Sequence, residues 1–141
     1  MAQCFCHMAN KKSVYYPVEN AELAARVEEG VPVLDLVAFG REAGFTSKEL
    51  AGLIHVPPRT YARRLAAKGR LNLDEGERAA RLMRVYEHAK LLFKTHENTR
   101  EWLNIRLPAL GGRTPLDYAR TEPGAQEVEH LIERIGDGSV S

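Results

Sequence analysis

A tight turn and two helix starts are encoded between residues 110 and 121. The Gly111-Gly112 pair allows a turn with positive φ, a backbone region that residues with a Cβ atom seldom adopt. The Thr114-Pro115 pair follows, and a threonine hydroxyl can cap a helix that has proline as its first residue. Thr121 can cap a further helix that ends near Gly136. This order of residue types predicts a turn followed by two helices, which is a structural role and not a catalytic one.

The rest of the chain repeats such signals of helix starts and ends. Asn20 can cap a first helix, and Pro32 can open a second in which Leu34, Val37 and Ala38 point inward. A third helix is predicted to start at a capping box of Thr46 and Glu49, and a fourth to run from Pro58 to Lys68. A long helix is predicted to start at Asp74 with Glu77 and to reach about residue 95, and a shorter one to start at Asn98 with Glu101. No run of alternating β-branched residues is long enough for a sheet, so the chain is predicted to be all-α.

Two short helices joined by a tight turn are predicted between residues 46 and 68. Ala51 is small enough to let the two helices approach closely, and Tyr61 and Leu65 face the core. The opposite face of the second helix suits DNA, because arginine can contact a guanine edge at two points or pair with phosphate. The predicted DNA-binding residues are Lys48, Arg59, Thr60, Arg63, Arg64 and Lys68, with Arg70 as a further flanking phosphate contact. A single helix-turn-helix of this kind binds weakly, so a homodimer is predicted.

Charge is distributed unevenly, although the net charge is only +1. Residues 41–70 carry seven Lys or Arg and two Glu, whereas residues 114–141 carry two Arg and six Asp or Glu. The first region suits the phosphate backbone of a nucleic acid and the second does not. Arginines on an amphipathic helix can also be only a solvated face, so the sequence leaves that alternative open.

The composition excludes several functions and locations. The 141 residues include no apolar run near the roughly 18 needed for a membrane span, and residues 1–19 are predicted to be a flexible segment without a secretory signal, so the protein is expected in the cytoplasm. Cys4, Cys6 and His7 fall short of the four ligands of a structural zinc site. No phosphate-binding glycine loop or recognisable carboxylate pair occurs, and the histidines are scattered. We therefore predict no catalytic residue, no metal and no cofactor, and hence no enzyme.

The C-terminal part holds enough apolar residues for a small helical unit. Its predicted core consists of Trp102, Leu103, Leu110, Leu116, Val128, Leu131, Ile132 and Ile135. Four acidic residues fall on the wet faces of the last helix: Glu127, Glu129, Glu133 and Asp137. The pattern alone is compatible either with a self-contained cap on the DNA-binding part or with a surface for a partner.

One set of residues in this part carries a resemblance to a known family. The set consists of Trp102-Leu103, the run Pro108–Asp117, Thr121, Gly124 and Val128. It resembles the toxin-binding domain of the Xre/MbcA/ParS antitoxin family, and the preceding segment fits the helix-turn-helix half of the same family. The resemblance implies an Xre-like helix-turn-helix domain at residues 20–85, a long linking helix over about 74–95, and a toxin-binding domain at residues 86–141.

The resemblance also implies a function and two partners. Toxins of this group are commonly RES-domain proteins that consume NAD, so it implies an antitoxin that binds a cognate RES-type toxin and represses its own operon by binding promoter DNA. The last helix and residues 136–141 would cover the NAD pocket, where acidic groups suit a pocket built for an anionic dinucleotide. The toxin-binding residues expected on this basis are Arg113, Glu127, Val128, Leu131, Ile135, Asp137 and Val140.

A free-standing repressor is the alternative function. In that case the C-terminal domain serves only dimerisation or senses a ligand. An adjacent reading frame for a RES-like toxin favours the antitoxin, and its absence favours the repressor.

Overall fold

The computed structural model describes residues 20–138 of the chain. Cys4, Cys6, His7 and Val140 lie outside this range, so the predictions made for them are not addressed by the structure. The chain divides into two compact units, Met1–Met83 and Arg84–Ser141. The described part contains helices and two isolated bridges but no strand, which confirms the all-α fold.

The described residues of the first unit, 20–83, form four helices and the start of a fifth. They are α1 (Asn20–Glu29), α2 (Val33–Ala43), α3 (Ser47–Leu53), α4 (Pro58–Ala66) and α5 (Leu73–Phe93), the last of which continues into the second unit. Thr46 caps α3 in a capping box with Glu49, as predicted, and the two bonds measure 3.1 and 2.8 Å. Helix α1 is described from Asn20 onward, so the cap predicted at Asn20 stays a prediction.

The predicted start of α5 is wrong. The cap is Asn72, whose Oδ1 accepts from the backbone N–H of Glu75 at 2.9 Å, while Glu75 Oε1 accepts from the N–H of Asn72 at 3.0 Å. The predicted pair Asp74 and Glu77 has the same spacing, but both of its residues are exposed. The reciprocal bonds at Asn72 and Glu75 form a capping box, which satisfies two backbone donors at once.

Helix α2 buries a face other than the predicted one. Its interior residues are Val33, Leu36, Phe39, Gly40 and Ala43. Leu34 is 47% exposed, Ala38 is exposed and Val37 is half-buried, so the prediction that these three point inward is wrong. Apolar residues occupy both faces of this helix, and the face with Phe39 is buried, where its ring stacks on Phe45 at 5.9 Å between centroids.

The described part of the second unit contains the rest of α5, three further helices that each have a threonine N-cap, and a 3₁₀ turn. The elements after α5 are α6 (His96–Leu103), a 3₁₀ turn (Pro108–Leu110), α7 (Pro115–Tyr118) and α8 (Glu122–Gly136). The predicted caps Thr114 and Thr121 are confirmed, each accepting a backbone N–H at 3.1 Å. The predicted cap Asn98 is wrong, because the backbone N–H of Asn98 donates to the hydroxyl of Thr95, which is the N-cap residue of α6. Gly111 and Gly112 both have positive φ, as the turn requires.

The core of the second unit forms around Trp102. This side chain is 9% exposed and its ring lies 5.1 Å from that of Phe93. Other buried apolar residues of this unit are Val85, Tyr86 and Ala89 on α5, and Leu103, Leu110, Ala125, Val128, Leu131 and Ile132 further along the chain. Leu116 and Ile135 were predicted to belong to this core but are only half-buried, whereas Pro115 is fully buried. Most of the predicted core is therefore confirmed, with the short helix α7 anchored through its proline.

Candidate nucleic-acid interface and C-terminal partner surface

Helices α3 and α4 form the predicted helix-turn-helix. Ala51 is 1% exposed, and its carbonyl accepts from the N–H of Val56 at 2.9 Å. His55 has φ +58°, so a residue with a Cβ atom occupies the left-handed conformation that this turn needs. Pro58 is the first residue of α4, where it loses no helical hydrogen bond. The turn is tight because the backbone bond from Val56 closes it directly on α3.

Tyr61 anchors α4 from its buried side. The side chain is 3% exposed, and its burial raises the pKa of the phenol above its ordinary value. The phenol therefore stays neutral at physiological pH, as a buried anchor should. Leu65, predicted to face the core with it, is half-buried.

The opposite side of α4 is basic and open to solvent. Arg59 and Arg63 lie four residues apart on the same face of the helix, and both are exposed. Lys48 and Lys68 are exposed at the start of α3 and beyond the end of α4, and Thr60 is half-buried. These positions leave the two arginines able to reach a groove or a phosphate without rearrangement of the core.

Two arginines predicted for this face are engaged elsewhere in the first unit. The guanidinium Nη1 of Arg64 donates to Oε1 of Glu75, and the side chains of this pair are 23% and 10% exposed. The Nη1 of Arg70 donates to the carbonyl of Gly30 at 2.6 Å. Their prediction as free DNA contacts rested on helical position alone, which does not reveal a partner distant in the sequence.

The exposed side of α8 is rich in acidic groups. Glu127, Glu133 and Asp137 are exposed there, together with His130, whose ring nitrogen lies 3.9 Å from Glu127. The interior side of the same helix holds Val128, which is fully buried, and Leu131, which is 4% exposed. Both were predicted as contact residues for a toxin, but the structure places the two side chains in the core of the second unit. Ile135 is half-buried and keeps some exposed surface.

Arg113 is exposed but fixed in place by its neighbours. Its Nε donates to Oδ2 of Asp117 at 2.8 Å, its Nη2 donates to the Asp117 carbonyl at 3.0 Å, and its guanidinium lies 5.1 Å from the centre of the Tyr118 ring. The hydrogen bond from Arg113 holds the pKa of Asp117 below its usual range. The side chain thus ties the glycine turn to α7, and its outer edge remains accessible.

A polar network inside the second unit was missed by sequence reasoning. Arg84 on α5 contacts Glu122 at 2.8 Å and Glu129 at 3.2 Å, and Nδ1 of His88 lies 3.3 Å from Glu129. Burial raises the pKa of Glu129, but the hydrogen bond from His88 and the charge of Arg84 outweigh it and the pKa is lowered. Burial alone would lower the pKa of Arg84, but the hydrogen bond to Glu122 and the charge of Glu129 outweigh this effect, and the pKa is raised above its ordinary value. The network holds α8 against α5 through charged groups distant in the sequence.

The described residues hold neither a metal-binding cluster nor a membrane-spanning helix. In that part of the chain, no group of three His, Cys, Asp or Glu side chains is placed to bind a metal ion. None of the helices there is both long and apolar enough to cross a membrane.

The described chain is a helix-turn-helix followed by a small helical unit, and both parts match models of two-domain antitoxins. Residues 22–84 match the family model of the antitoxin Xre-like helix-turn-helix domain, and residues 88–138 match that of the antitoxin Xre/MbcA/ParS C-terminal toxin-binding domain. The chain is 33% identical over 132 residues to a protein named antitoxin Xre from Photorhabdus laumondii, covering 92% of this chain and 89% of that protein. The chain therefore belongs to the Xre antitoxin family.

Two further relatives share that name. An antitoxin Xre from Yersinia enterocolitica is 34% identical over 100 residues, which cover 70% of this chain and 68% of that protein. An antitoxin Xre from Pseudomonas putida is 26% identical over 117 residues, covering 83% of this chain and 72% of that protein. The match of residues 88–138 to a toxin-binding domain implies a toxin partner for the second unit.

Proposed function

We propose that this antitoxin binds and occludes a RES-type toxin that consumes NAD, and that it represses its own operon by binding promoter DNA. The observation that carries the proposal is the separation of two exposed surfaces, a basic one on α4 in the first unit and an acidic one on α8 in the second. Occlusion needs no catalytic group and no cofactor, so we propose a non-enzymatic protein that acts in the cytoplasm.

The DNA-binding part of the proposal rests on the exposed face of α4. Arg59 is the proposed base or phosphate contact and Arg63 a proposed phosphate contact, and Thr60, Lys48 and Lys68 contribute beside them. Phosphate contacts release counterions, so affinity should fall steeply with salt. A homodimer is proposed because two half-sites supply the affinity that one unit lacks.

A gel-shift titration on the promoter of the chain's own operon tests this part. Changing Arg59 and Arg63 together to alanine should weaken binding and reduce the slope of log K against log salt by about 0.9 for each phosphate that is no longer neutralised. Arg41→Ala is the matched control, because Arg41 is an exposed arginine of the first unit outside this face. Equal binding by the double variant and the control would remove α4 from DNA recognition.

The toxin-binding part of the proposal rests on the outer side of α8 and the residues after it. Glu127 and Asp137 lie on the exposed acidic side, Ile135 offers a half-buried apolar contact, and Arg113 presents a fixed guanidinium. A pocket that binds an anionic dinucleotide is expected to be basic, so an acidic helix is complementary to it. We propose that this surface and the chain end, including Val140, cover the NAD pocket of the toxin.

Co-expression with the neighbouring toxin and an NAD turnover assay test this part. Deleting residues 138–141 keeps the N–H of Asp137 bonded to the carbonyl of Glu133 at 2.9 Å, so α8 should keep its end. We expect the truncated protein to bind toxin but to protect NAD poorly. Full protection would assign inhibition to α8 itself, which the variant Glu127→Gln with Glu133→Gln then tests. If the operon encodes no toxin and the chain only binds its promoter, the function is that of a free-standing repressor.

A further inference from the structure

The first turns of α5 hold the helix-turn-helix at one point on α4. Glu75 is only 8% exposed, and its Oε1 accepts from both the guanidinium of Arg64 and the backbone N–H of Asn72. The carboxylate therefore closes the capping box of α5 and binds an arginine of the recognition helix at the same time. A buried carboxylate left without its cation is strongly unfavourable, so this pair fixes Arg64.

The same face of α5 holds the helix-turn-helix at a second point. Arg78 follows Glu75 by three residues, which places the two side chains next to each other on the helix. Its Nε donates to the carbonyl of Ile54 at 2.6 Å. Ile54 is the C-cap residue of α3 and is fully buried. His55 follows it in the left-handed backbone conformation. The charged donor thus satisfies a carbonyl at the helix end, where the turn departs from regular geometry.

We propose that Glu75 and Arg78, here called the α5 clamp, are positioning residues that set the orientation of α4 for DNA reading. Arg78 fixes the end of α3 next to the turn, and Glu75 fixes the last turn of α4 through Arg64, so both helices of the motif are held from one rigid helix. The inference rests on the proposed DNA binding. It assigns Arg64 a role distinct from that of Arg63, which lies beside it in sequence but is exposed.

The two roles predict different behaviour on DNA. A residue that contacts phosphate changes the salt dependence and weakens binding to every duplex alike. A residue that orients the helix changes the preference for the promoter over an unrelated duplex, because base contacts depend on geometry. The number of neutralised phosphates, and so the salt slope, stays the same.

Binding of the promoter and of an unrelated duplex at several salt concentrations tests the α5 clamp. Arg63→Ala should weaken both duplexes and reduce the salt slope by about 0.9. Arg64→Ala and Arg78→Lys should reduce the preference for the promoter by about tenfold, the effect of one good base contact, with an unchanged slope. Glu77→Gln is the control, because Glu77 is an exposed carboxylate whose ion pair, with Arg81 at 3.2 Å, lies within the same helix. An Arg64→Ala variant that behaves like Arg63→Ala would overturn the proposal.

A conservative substitution covers the case in which Arg64→Ala does not fold. Arg64→Lys keeps the charge but lacks the forked guanidinium. If Arg64 contacts phosphate, the lysine variant should retain both promoter preference and salt slope. If Arg64 is instead held by Glu75 of the α5 clamp, the lysine variant should lose promoter preference only. Retained preference would contradict the proposal.

Hydrogen exchange of the free protein separates this inference from the proposed DNA binding. Glu75→Gln and Arg78→Lys should speed exchange across residues 47–66 at least about tenfold relative to Glu77→Gln, since local opening becomes easier. A wild-type chain without promoter preference would refute the proposed promoter binding. The exchange result would still show whether the α5 clamp holds the helix-turn-helix. Unchanged exchange in both variants would overturn it.

Discussion

Replacing Gly124 with alanine puts a methyl group where the second unit has no space. A Cβ atom built at Gly124 would lie 1.9 Å from the carbonyl oxygen of Tyr118 and 3.1 Å from the hydroxyl oxygen of Thr121. The first contact is to backbone at the end of α7, so it cannot be relieved by turning a side chain. Either α7 must move or the first turn of α8 must open, and the bond from the Gly124 N–H to Thr121 is at risk in both cases.

The size of the effect follows from three contributions. Forcing extra volume into a packed site costs about 1–3 kcal/mol, and rigid backbone places this case at the upper end. Loss of the threonine cap adds about 1 kcal/mol. Alanine recovers up to about 1 kcal/mol of helix propensity relative to glycine. The net expectation for Gly124→Ala is a loss of about 2–3 kcal/mol from the free energy of unfolding of the second unit.

Chemical denaturation followed by circular dichroism measures this loss, with Gly136→Ala as the matched control. Gly136 ends the same helix, and the nearest atom to a Cβ built there is Leu92 Cδ1 at 3.6 Å, an ordinary contact. The control should be neutral or slightly stabilising. If Gly124→Ala is as stable as Gly136→Ala, the close approach of α7 and α8 is wrong.

Three further substitutions test the packing, backbone and charges of the second unit. Trp102→Ala should lower the free energy of unfolding by about 3–5 kcal/mol, measured in denaturant, because a large buried ring leaves a cavity; parent-like stability would place the ring outside the core. Lys94→Gly should raise the melting temperature, since Lys94 has φ +75° and the left-handed conformation costs about 1 kcal/mol for a residue with Cβ. Lys90→Gly, within α5, should lower the melting temperature. The lowered pKa of Glu129 means that its stabilising contribution is present above its ordinary pKa of 4.5 and is lost as pH falls through the lower folded value. Glu129→Gln should therefore flatten the acid side of the stability profile, and an unchanged profile would contradict the contact with Arg84.

Local signals in the sequence were sufficient for most helix starts. Thr46, Thr114 and Thr121 cap their helices as predicted, because a cap involves only residues within one turn of each other. The start of α5 was misplaced because two boxes of equal spacing overlap in the sequence. The box with Glu75 forms in the folded unit, where Glu75 also binds Arg64, and this long-range contact has no local signature.

The surfaces were predicted less well than the helices, for the same physical reason. Helical periodicity identified one exposed side of α4 but could not separate Arg63 from Arg64, since only a partner on α5 distinguishes them. On α8 it identified Val128 and Leu131 as the apolar stripe, and the family resemblance then suggested them as partner contacts. Both are buried in the core of the second unit, so the apolar stripe serves packing, and the exposed side with Glu127 remains the proposed surface for a partner.

Several short helices pack against their neighbours along the chain, and this affects the speed of folding. Helix α3 packs against α4 in the first unit, and α7 packs against α6 and α8 in the second, so each of these contacts joins neighbours along the chain. Chains dominated by such local contacts have a low contact order and fold in about microseconds to milliseconds. The close approach at Gly124 joins residues only six positions apart, so α7 and the start of α8 can pack together as a local event, whereas the ion pairs of Arg84 with Glu122 and Glu129 require segments 38 and 45 residues apart to meet.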